Sequence, residues 1–212
     1  MADINADTPV IKRLGTGGTG EIIEKKSRFI GVAEPVATAE EALSFVNEIK
    51  KRHYQARHNC YAYSVGLTEP ALRYSDDGEP QGTAGKPILG VIEGSGVRNI
   101  VIVVTRYFGG VLLGTGGLVR AYTDAAKAAL DAAEIALVQP LLVARLTFAY
   151  KDVDKVTRCL EEAGISNPET EFMENVSYTV RIPEGLTGKL FTDLRNITGG
   201  RMDIKEMEHI IG

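Results

Sequence analysis

The sequence predicts an α+β protein of two domains, and three observations support this prediction. The chain has 212 residues, more than the roughly 150 residues of one typical domain. Strand-like and helix-like patterns alternate irregularly before Pro140. After Pro140 the pattern becomes strand, helix, strand, strand, helix, strand. We therefore predict a first domain over residues 1–138 and a second over residues 139–212.

The elements of the first domain follow from local patterns. Residues 1–8 are polar and predict a disordered tail. Extended segments rich in Val, Ile, Phe and Tyr are predicted at residues 10–14, 21–36, 57–67 and 99–108. A capping box formed by Thr38 and Glu41 predicts the start of a helix that ends in cations at residues 50–53. The run at 99–108 is rich in β-branched residues, as expected for a strand that is buried on both faces.

The remaining elements alternate with turn-rich segments. Residues 75–87 predict a long loop, which a short apolar helix follows. An Ala-rich helix is predicted over residues 118–130. In the second domain, the order βαββαβ predicts a ferredoxin-like plait. Gly164 and Gly199 lie where the helices of that plait should end.

Composition and charge exclude several classes of protein. The formal net charge is −4, so the chain as a whole is not a polycation. The first ten residues lack the pattern of a signal peptide, and no apolar run is long enough to span a membrane. The two cysteines, Cys60 and Cys159, are predicted to be reduced, buried thiols. We expect a cytoplasmic protein.

Glycine is the most unusual feature of the composition. The chain has 23 glycines in 212 residues, against about 7% in an average protein. The cluster from Gly15 to Gly20 matches the G-x-G-x-x-G pattern of dinucleotide-binding proteins. That pattern must open a helix, whereas the residues that follow here are strand-like. We therefore predict that this first cluster is a flexible turn.

A second cluster of glycines has a better context for binding. It follows the buried strand and precedes a helix, and a helix start presents free N–H groups to an anion. Arg120 is predicted in the first turn of that helix, where a bound anion would offset the unfavourable helix dipole. The alternative is that the glycines only permit a tight connection and close helix packing. The candidate residues are Arg106, Tyr107, Gly109, Gly110, Gly114, Gly116, Gly117 and Arg120.

Several other residues have chemistry that suits a site. Lys26 and Arg28 lie in an extended segment and are predicted on one face, though a solvated face explains them equally. His58 and Cys60 share one strand face, too far apart for a direct catalytic dyad. Asp76, Asp77 and Glu79 could hold Mg²⁺, or they could belong to an ordinary turn. Tyr61, Tyr63 and Tyr74 are candidates for stacking on bases or for the core.

Four segments together resemble the YigZ/IMPACT family. They are KKSRFIG (25–31), ARHNCYAY (56–63), SDDGEPQGTAGKP (75–87) and VTRYFGGVLLGTGGLVRAY (104–122). The positions that match the family pattern are Lys26, Ser27, Arg28, His58, Asp76, Asp77, Gly78, Glu79, Pro80, Gly82, Thr83, Gly85, Arg106, Tyr107, Gly109, Gly110, Gly114, Gly117, Arg120 and Tyr122. The resemblance implies a first domain like the fourth domain of elongation factor G and the second domain of a small-subunit ribosomal protein. It implies a second domain similar to the plait domains of elongation factor G.

The resemblance also bears on function. Eukaryotic IMPACT is a translational regulator that binds a general-control scaffold protein. We therefore expect a regulatory protein that binds RNA, the ribosome or a translation-related protein through a basic, glycine-rich groove. The expected anion- or nucleic-acid-binding residues are Lys26, Ser27, Arg28, His58, Arg106, Tyr107, Gly109, Gly110, Gly114, Gly116, Gly117 and Arg120. A second loop of interest contains Asp76, Asp77, Gly78, Glu79, Thr83 and Gly85.

Two other classes of function stay open at this point. One is an enzyme for a phosphorylated or nucleotide substrate, with His58 as acid or base and Asp76, Asp77 and Glu79 as carboxylates or Mg²⁺ ligands. The other is a module that binds only proteins. We expect no cofactor, no resident metal and no membrane partner, and the sequence does not predict the oligomeric state.

Overall fold

The computed structural model describes residues 10–212. These residues form two compact units, Ile11–Leu137 and Val138–Gly212. Both units mix strands and helices, so the predicted α+β class is confirmed. The predicted tail at residues 1–8 lies outside the described residues.

The first unit is built around a five-stranded sheet. Its helices are α1 (Ala39–Arg52), α2 (Gly85–Ser95) and α3 (Gly114–Asp131). Its strands are β1 (Ile11–Thr16), β2 (Gly18–Glu24), β3 (Ser27–Pro35), β4 (His58–Val65), β5 (Ala71–Ser75), β6 (Val97–Arg98), β7 (Ile100–Tyr107) and β8 (Glu134–Val138). The main sheet has the order β2-β3-β7-β4-β5, and each neighbouring pair is antiparallel. A small sheet has the order β6-β1-β8.

Strand β7 lies at the centre of the main sheet and is covered on both faces. Ile102 and Val104 belong to a core that includes residues of α2 and α3. Val101 and Val103 point to the other face and belong to a core that includes residues of α1. Because successive side chains alternate between faces, a strand covered on both sides is apolar along most of its length, and in β7 the buried polar residues are Thr105 and Arg106. The prediction that residues 99–108 contain a strand buried on both faces is confirmed.

The prediction that the first glycine cluster is a flexible turn is wrong. Gly15 lies in β1, and Gly18 and Gly20 lie in β2. A Cβ atom at Gly20 would lie 2.5 Å from the Cβ of Ala128 in α3. These glycines therefore let strand β2 approach helix α3 closely. The prediction failed because a close approach between distant segments leaves no local signal in the sequence.

The basic run also differs from its prediction. Lys25 and Lys26 form the turn between β2 and β3, with φ angles of 45° and 66°. Two consecutive positive φ angles are those of a type I′ hairpin turn. The strand alternation that placed Lys26 and Arg28 on one face therefore does not apply to Lys26. Lys26 extends from the end of the hairpin, whereas Arg28 belongs to β3.

Helix α1 begins at the predicted cap. The Thr38 hydroxyl accepts a hydrogen bond from the Glu41 N–H at 3.1 Å. The Glu41 carboxylate accepts one from the Ala37 N–H at 2.7 Å, one residue earlier than in the standard capping box. The Thr38 side chain thus satisfies one of the four N–H groups that a helix start leaves free.

Removing the Thr38 hydroxyl tests the value of this cap. We expect Thr38→Ala to lower the free energy of unfolding by about 1 kcal/mol, the usual cost of losing a side-chain cap. Thr38→Ser keeps the hydroxyl and should retain most of the stability. Urea unfolding followed by circular dichroism measures both changes. Equal losses for Ala and Ser would contradict the capping role.

The second unit contains four strands and two main helices in the predicted order. They are β9 (Pro140–Phe148), α4 (Val153–Glu162), β10 (Glu169–Phe172), β11 (Val176–Pro183), α5 (Thr187–Ile197) and β12 (Asp203–Ile211). The sheet is antiparallel with the order β10-β11-β9-β12. Its core joins apolar residues of both helices to one face of the sheet, including Leu146, Leu160 and Leu194.

Two local predictions about the second unit have different outcomes. Gly164 and Gly199 follow α4 and α5 with positive φ angles of 76° and 61°, as expected for glycines that end helices. Cys159 was predicted to be buried but is only half-buried, because it lies on the outer part of α4. None of the helices in residues 10–212 is long and apolar enough to cross a membrane.

Candidate functional site

The candidate site lies at the end of the main sheet where β3 and β4 begin and β7 ends. In the strand register, His58 lies opposite Arg106 and Arg28 lies opposite Tyr107. Adjacent residues of a strand point to opposite faces. His58 and Arg106 therefore face α2 and α3, whereas Arg28 and Tyr107 face α1. The sheet therefore separates Arg28 from His58 and Arg106, which were predicted to belong to one site.

An open groove of about 620 Å³ lies at this end of the sheet. Its lining residues are Gln55, Ala56, Arg57, His58, Arg106, Tyr107, Phe108 and Leu112. Three of them carry basic side chains and none is acidic. The predicted residues His58, Arg106 and Tyr107 are thus brought together. Phe108 and Leu112 were not predicted as site residues, although exposed apolar residues beside a buried strand are a usable signal.

Arg106 is the most constrained residue of the groove. Its side chain is 7% exposed, and its Nη1 donates to the Glu79 carboxylate at 2.7 Å. The Tyr122 hydroxyl donates to the same carboxylate oxygen at 2.8 Å. The guanidinium carbon lies 5.4 Å from the ring centres of both Phe29 and Phe108. Within the described chain, the buried Nε atom has no hydrogen-bond partner.

Asp76 closes the loop that connects β5 to α2. One carboxylate oxygen accepts hydrogen bonds from the N–H groups of Ala84 and Gly85, at 3.0 and 2.8 Å. The other accepts one from the Gly82 N–H at 2.8 Å. The carboxylate therefore stabilises the start of α2, where negative charge is favoured. Thr83 supports the same loop, because its hydroxyl donates to the Pro80 carbonyl at 2.6 Å.

Asp77 connects the same loop to β4 and α1. Its carboxylate accepts hydrogen bonds from Lys50 Nζ at 2.6 Å and from the Asn59 N–H at 2.8 Å. Its carbonyl accepts one from His58 Nδ1 at 2.9 Å. Asp77 and Gly78 both have positive φ angles, which give the loop its sharp turn. His58 is thus oriented by the backbone of this loop.

The three loop carboxylates considered for the enzyme alternative all bind protein groups in the structure. Asp76, Asp77 and Glu79 therefore hold the loop together. Cys60 also has a structural contact, since its thiol donates to the Asp76 carbonyl at 2.9 Å, and burial raises its pKa. Residues 10–212 contain no group of three or more His, Cys, Asp or Glu side chains that could hold a metal ion.

Arg28 was predicted to contact the ligand, but it is not among the residues that line the groove. Its guanidinium makes two hydrogen bonds to the Glu21 carboxylate, at 2.8 and 2.7 Å. This contact lowers the pKa of Glu21 and raises that of Arg28. The Glu21 carboxylate therefore compensates the charge of Arg28 on the face of the sheet that packs against α1.

The hairpin turn approaches the groove through Gly109. The Gly109 N–H donates to the buried Ser27 hydroxyl at 3.1 Å. A Cβ atom at Gly109 would clash with the Lys26 backbone. Gly110 follows with a φ of 83°. Ser27, Gly109 and Gly110 therefore have structural roles that hold the hairpin beside the segment that follows β7.

The glycines before the Ala-rich helix are part of it. Helix α3 begins at Gly114, so Gly116 and Gly117 lie in its first turn. Arg120 lies in the second turn rather than the first, and it does not line the groove. The helix dipole therefore does not disfavour the Arg120 cation as the sequence predicted, because the dipole acts mainly within the first turn. The sequence predicted that this helix begins later, at Leu118, because glycine is a poor helix former.

Tyr107 and the tyrosines of β4 are held by the α1 side of the unit. The Tyr107 hydroxyl lies 2.8 Å from Nδ1 of His53. Burial lowers the pKa of His53, and the nearby charges of Arg52 and Arg28 act in the same direction. A neutral His53 can accept a hydrogen bond from the Tyr107 hydroxyl. Tyr61 and Tyr63 belong to the core, so neither is available to stack on a base.

Exposed cations surround the groove end of the first unit. Lys25 and Lys26 lie on the hairpin turn beside Gly109, and Arg57 lies in the groove itself. None of these three side chains has an ion-pair partner in the described chain. Glu24 adjoins the hairpin turn. The acidic first turn of α1 lies at the opposite end of the helix from its basic last turn, at Lys50–Arg52.

Comparisons with known proteins agree with the resemblance found in the sequence. The Impact N-terminal domain model matches residues 25–130, and a domain of unknown function, DUF1949, matches residues 146–201. The IMPACT family member YvyE of Bacillus subtilis is 37% identical over 191 residues, which cover 90% of this chain and 88% of YvyE. YigZ of Escherichia coli is 35% identical over 87% of this chain and 91% of its own length.

One solved structure also resembles nearly the whole chain. It is a crystal structure of a hypothetical protein, 33% identical, with a TM-score of 0.62, and the match covers 94% of this chain and 98% of that one. The matched sequence segments include every residue that lines the groove. The match to YvyE and YigZ extends through both units. The chain therefore belongs to the IMPACT family, as its sequence motifs predicted.

Proposed function

We propose that this protein is a translation-associated regulatory protein that binds RNA through the groove at the end of its main sheet. The observation that carries the proposal is the lining of the groove. It combines the basic side chains of Arg57 and His58 with the exposed ring of Phe108, and no acidic side chain lines it. Cations that contact phosphates and aromatic rings that stack on bases are the two components of single-strand recognition.

The surrounding charge supports a polyanionic partner. The chain has an overall charge of −4, so basic residues must be concentrated locally if they are to attract RNA. Lys25, Lys26 and Arg57 provide such a concentration beside the groove. Phosphate contacts of this kind supply most of the sequence-independent affinity for nucleic acids. The expected RNA surface is therefore local and does not involve the whole protein.

The fold supports a role in translation. We propose that the two units correspond to domains at residues 1–138 and 139–212, and that the second is a ferredoxin-like plait. The sheet order β10-β11-β9-β12 places the first and third strands of that unit in the centre, as the split βαβ arrangement requires. The family resemblance implies that the first domain is similar to the fourth domain of elongation factor G. A cytoplasmic location stays a prediction.

A protein partner is the second candidate, and one observation favours it. Phe108, Val111, Leu112 and Val119 are exposed apolar residues at the groove end of the unit. Exposed apolar groups of this kind mark surfaces that bind proteins. Affinity capture from lysate with and without nuclease distinguishes the candidates, because a protein partner should remain after the RNA is digested.

The RNA proposal predicts a change in salt dependence. We expect the double variant Lys26→Ala, Arg57→Ala to bind single-stranded RNA more weakly and to reduce the slope of log K against log salt by about 1.4. Each phosphate contact in a single strand contributes about 0.7 to that slope. Fluorescence anisotropy at several salt concentrations measures it.

The matched control removes two charges elsewhere in the same unit. Lys12 and Arg13 are exposed on β1 and do not line the groove. The variant Lys12→Ala, Arg13→Ala has the same net charge as the groove variant and should retain the wild-type slope. Equal losses in the two variants would show that only net charge matters. Absence of RNA binding by the wild-type protein would overturn the proposal.

A further inference from the structure

We infer that Phe108 is a preformed stacking platform for one unpaired base, so that the groove selects single-stranded RNA over duplex RNA. This inference rests on the proposed function and specifies the class of RNA. It depends on three observations: the side chains that pack beneath the Phe108 ring, the hydrogen bonds that hold those side chains in place, and the basic side chains in the same groove.

The layer beneath the ring consists of Arg106 and Phe29. The Arg106 guanidinium carbon lies 5.4 Å from the centre of each ring. The cation therefore contacts both aromatic rings, and this arrangement is attractive for the π systems. Phe29 is fully buried, whereas Phe108 is 56% exposed. Phe108 is thus the outer member of the group, and its exposed surface is available to a further planar group.

The platform is held in place before any ligand binds. Arg106 is attached to Glu79, and Glu79 also accepts the hydrogen bond of Tyr122 in α3. Phe108 directly follows β7, the central strand of the sheet. A ring that packs on a fixed guanidinium loses less conformational entropy than a free ring when a ligand stacks on it. Such an arrangement explains why a phenylalanine is exposed beside a buried arginine.

The same groove contains groups for the phosphate of the stacked nucleotide. Arg57 and His58 line it together with Phe108, and Leu112 adds an apolar side chain. The groove volume of about 620 Å³ lies within the range of pockets that bind small molecules. A nucleotide in a single strand offers both a free base face and a phosphate. A base pair inside a duplex offers no free face, because its neighbours stack on both sides.

A tryptophan at position 108 provides a direct test. The protein contains no tryptophan, so the emission of Phe108→Trp reports only on this position. We expect a single-stranded oligonucleotide to quench this emission, because a stacked base contacts the indole. The duplex of the same sequence should leave the emission almost unchanged. Equal quenching by the duplex would overturn the inference.

The second unit offers a matched control for the reporter. Phe172 is 66% exposed, and its ring is stacked with that of Tyr150 at a centre distance of 6.4 Å. Phe172→Trp should report an exposed indole that is not among the residues lining the groove. We expect no quenching of this variant at oligonucleotide concentrations that saturate Phe108→Trp. Similar quenching of both variants would indicate nonspecific contact and overturn the inference.

The variant Phe108→Leu tests the contribution of the ring to affinity. We expect about a tenfold loss of affinity for the single-stranded oligonucleotide, because leucine offers no aromatic face on which a base can stack. The salt slope should stay at the wild-type value, because an uncharged ring releases no counterions. Thermal unfolding of Phe108→Leu establishes that the variant is folded.

The outcomes separate this inference from the proposed function. If the wild-type protein binds RNA with the expected salt slope but Phe108→Leu binds equally well, the inference is overturned and the RNA proposal stands. If the wild-type protein binds no RNA, both are overturned. If Phe108→Leu keeps its RNA affinity but loses a nuclease-resistant protein partner, Phe108 belongs to a protein interface, and the stacking role is overturned.

Discussion

Replacing Glu79 by Gln is expected to lower the free energy of unfolding by about 3–5 kcal/mol, the usual cost of removing one partner of a buried ion pair. The side chains of Glu79 and Arg106 are only 4% and 7% exposed. Without the carboxylate, the buried Arg106 cation has no compensating charge, and water cannot reach it easily. Urea unfolding of the variant and the wild-type protein measures the loss.

Two further variants make this prediction specific. Glu21→Gln removes a carboxylate from the Arg28 pair on the exposed strand β2, and it should leave the unfolding midpoint unchanged because water screens exposed pairs. The double variant Glu79→Leu, Arg106→Met removes both buried charges and should recover much of the stability lost in Glu79→Gln. Stability equal to the wild type in Glu79→Gln would show that the pair is not important for the fold.

Adding a methyl group to Gly20 or Gly31 is expected to destabilise the first unit by about 1–3 kcal/mol for each substitution, as overpacking does. A Cβ at Gly20 would lie 2.5 Å from the Cβ of Ala128, and a Cβ at Gly31 would clash with the Ala125 carbonyl. Both clashes are with helix α3, which would have to move away from the sheet. Thermal and urea unfolding of Gly20→Ala and Gly31→Ala measure the effect.

Gly90 supplies the opposite case within the same unit. It lies in the middle of helix α2, and a Cβ there would have no atom within 4 Å. Gly90→Ala should therefore stabilise the unit by about 0.5–1 kcal/mol, since alanine is the better helix former. If Gly20→Ala and Gly90→Ala changed the stability in the same direction, close packing against α3 would not be the reason for Gly20.

Most of the secondary structure could be predicted because its signals are local. Thr38 and Glu41 marked the start of α1 by their spacing, and the apolar run at 99–108 marked the central strand. The βαββαβ order of the second unit followed from patterns of the same kind. Local signals were misleading where distant segments meet, as at Gly18 and Gly20, which pair with β3 and leave no room for a Cβ beside α3.

The candidate site was predictable only in part, for a physical reason. Arg106 and His58 were identified as site residues, and the strand register places them opposite each other. Arg28 was grouped with them, but the sheet directs it to the other face, where Glu21 neutralises it. The fold brings together the partners of a charged side chain, so these partners cannot be identified from a single sequence.

The sequence by itself determined the α+β class, the βαββαβ order of the second unit and the family, because each depends on residues that are neighbours along the chain. The tertiary structure decided what the unusual glycines and acidic residues do. Gly20 and Gly31 allow the sheet to pack closely against helix α3. The carboxylates of Asp76 and Asp77 hold the loop before α2 in its conformation. Glu79 forms a buried ion pair with Arg106. These roles arise from contacts between segments far apart in sequence, so they exist only once the chain has folded.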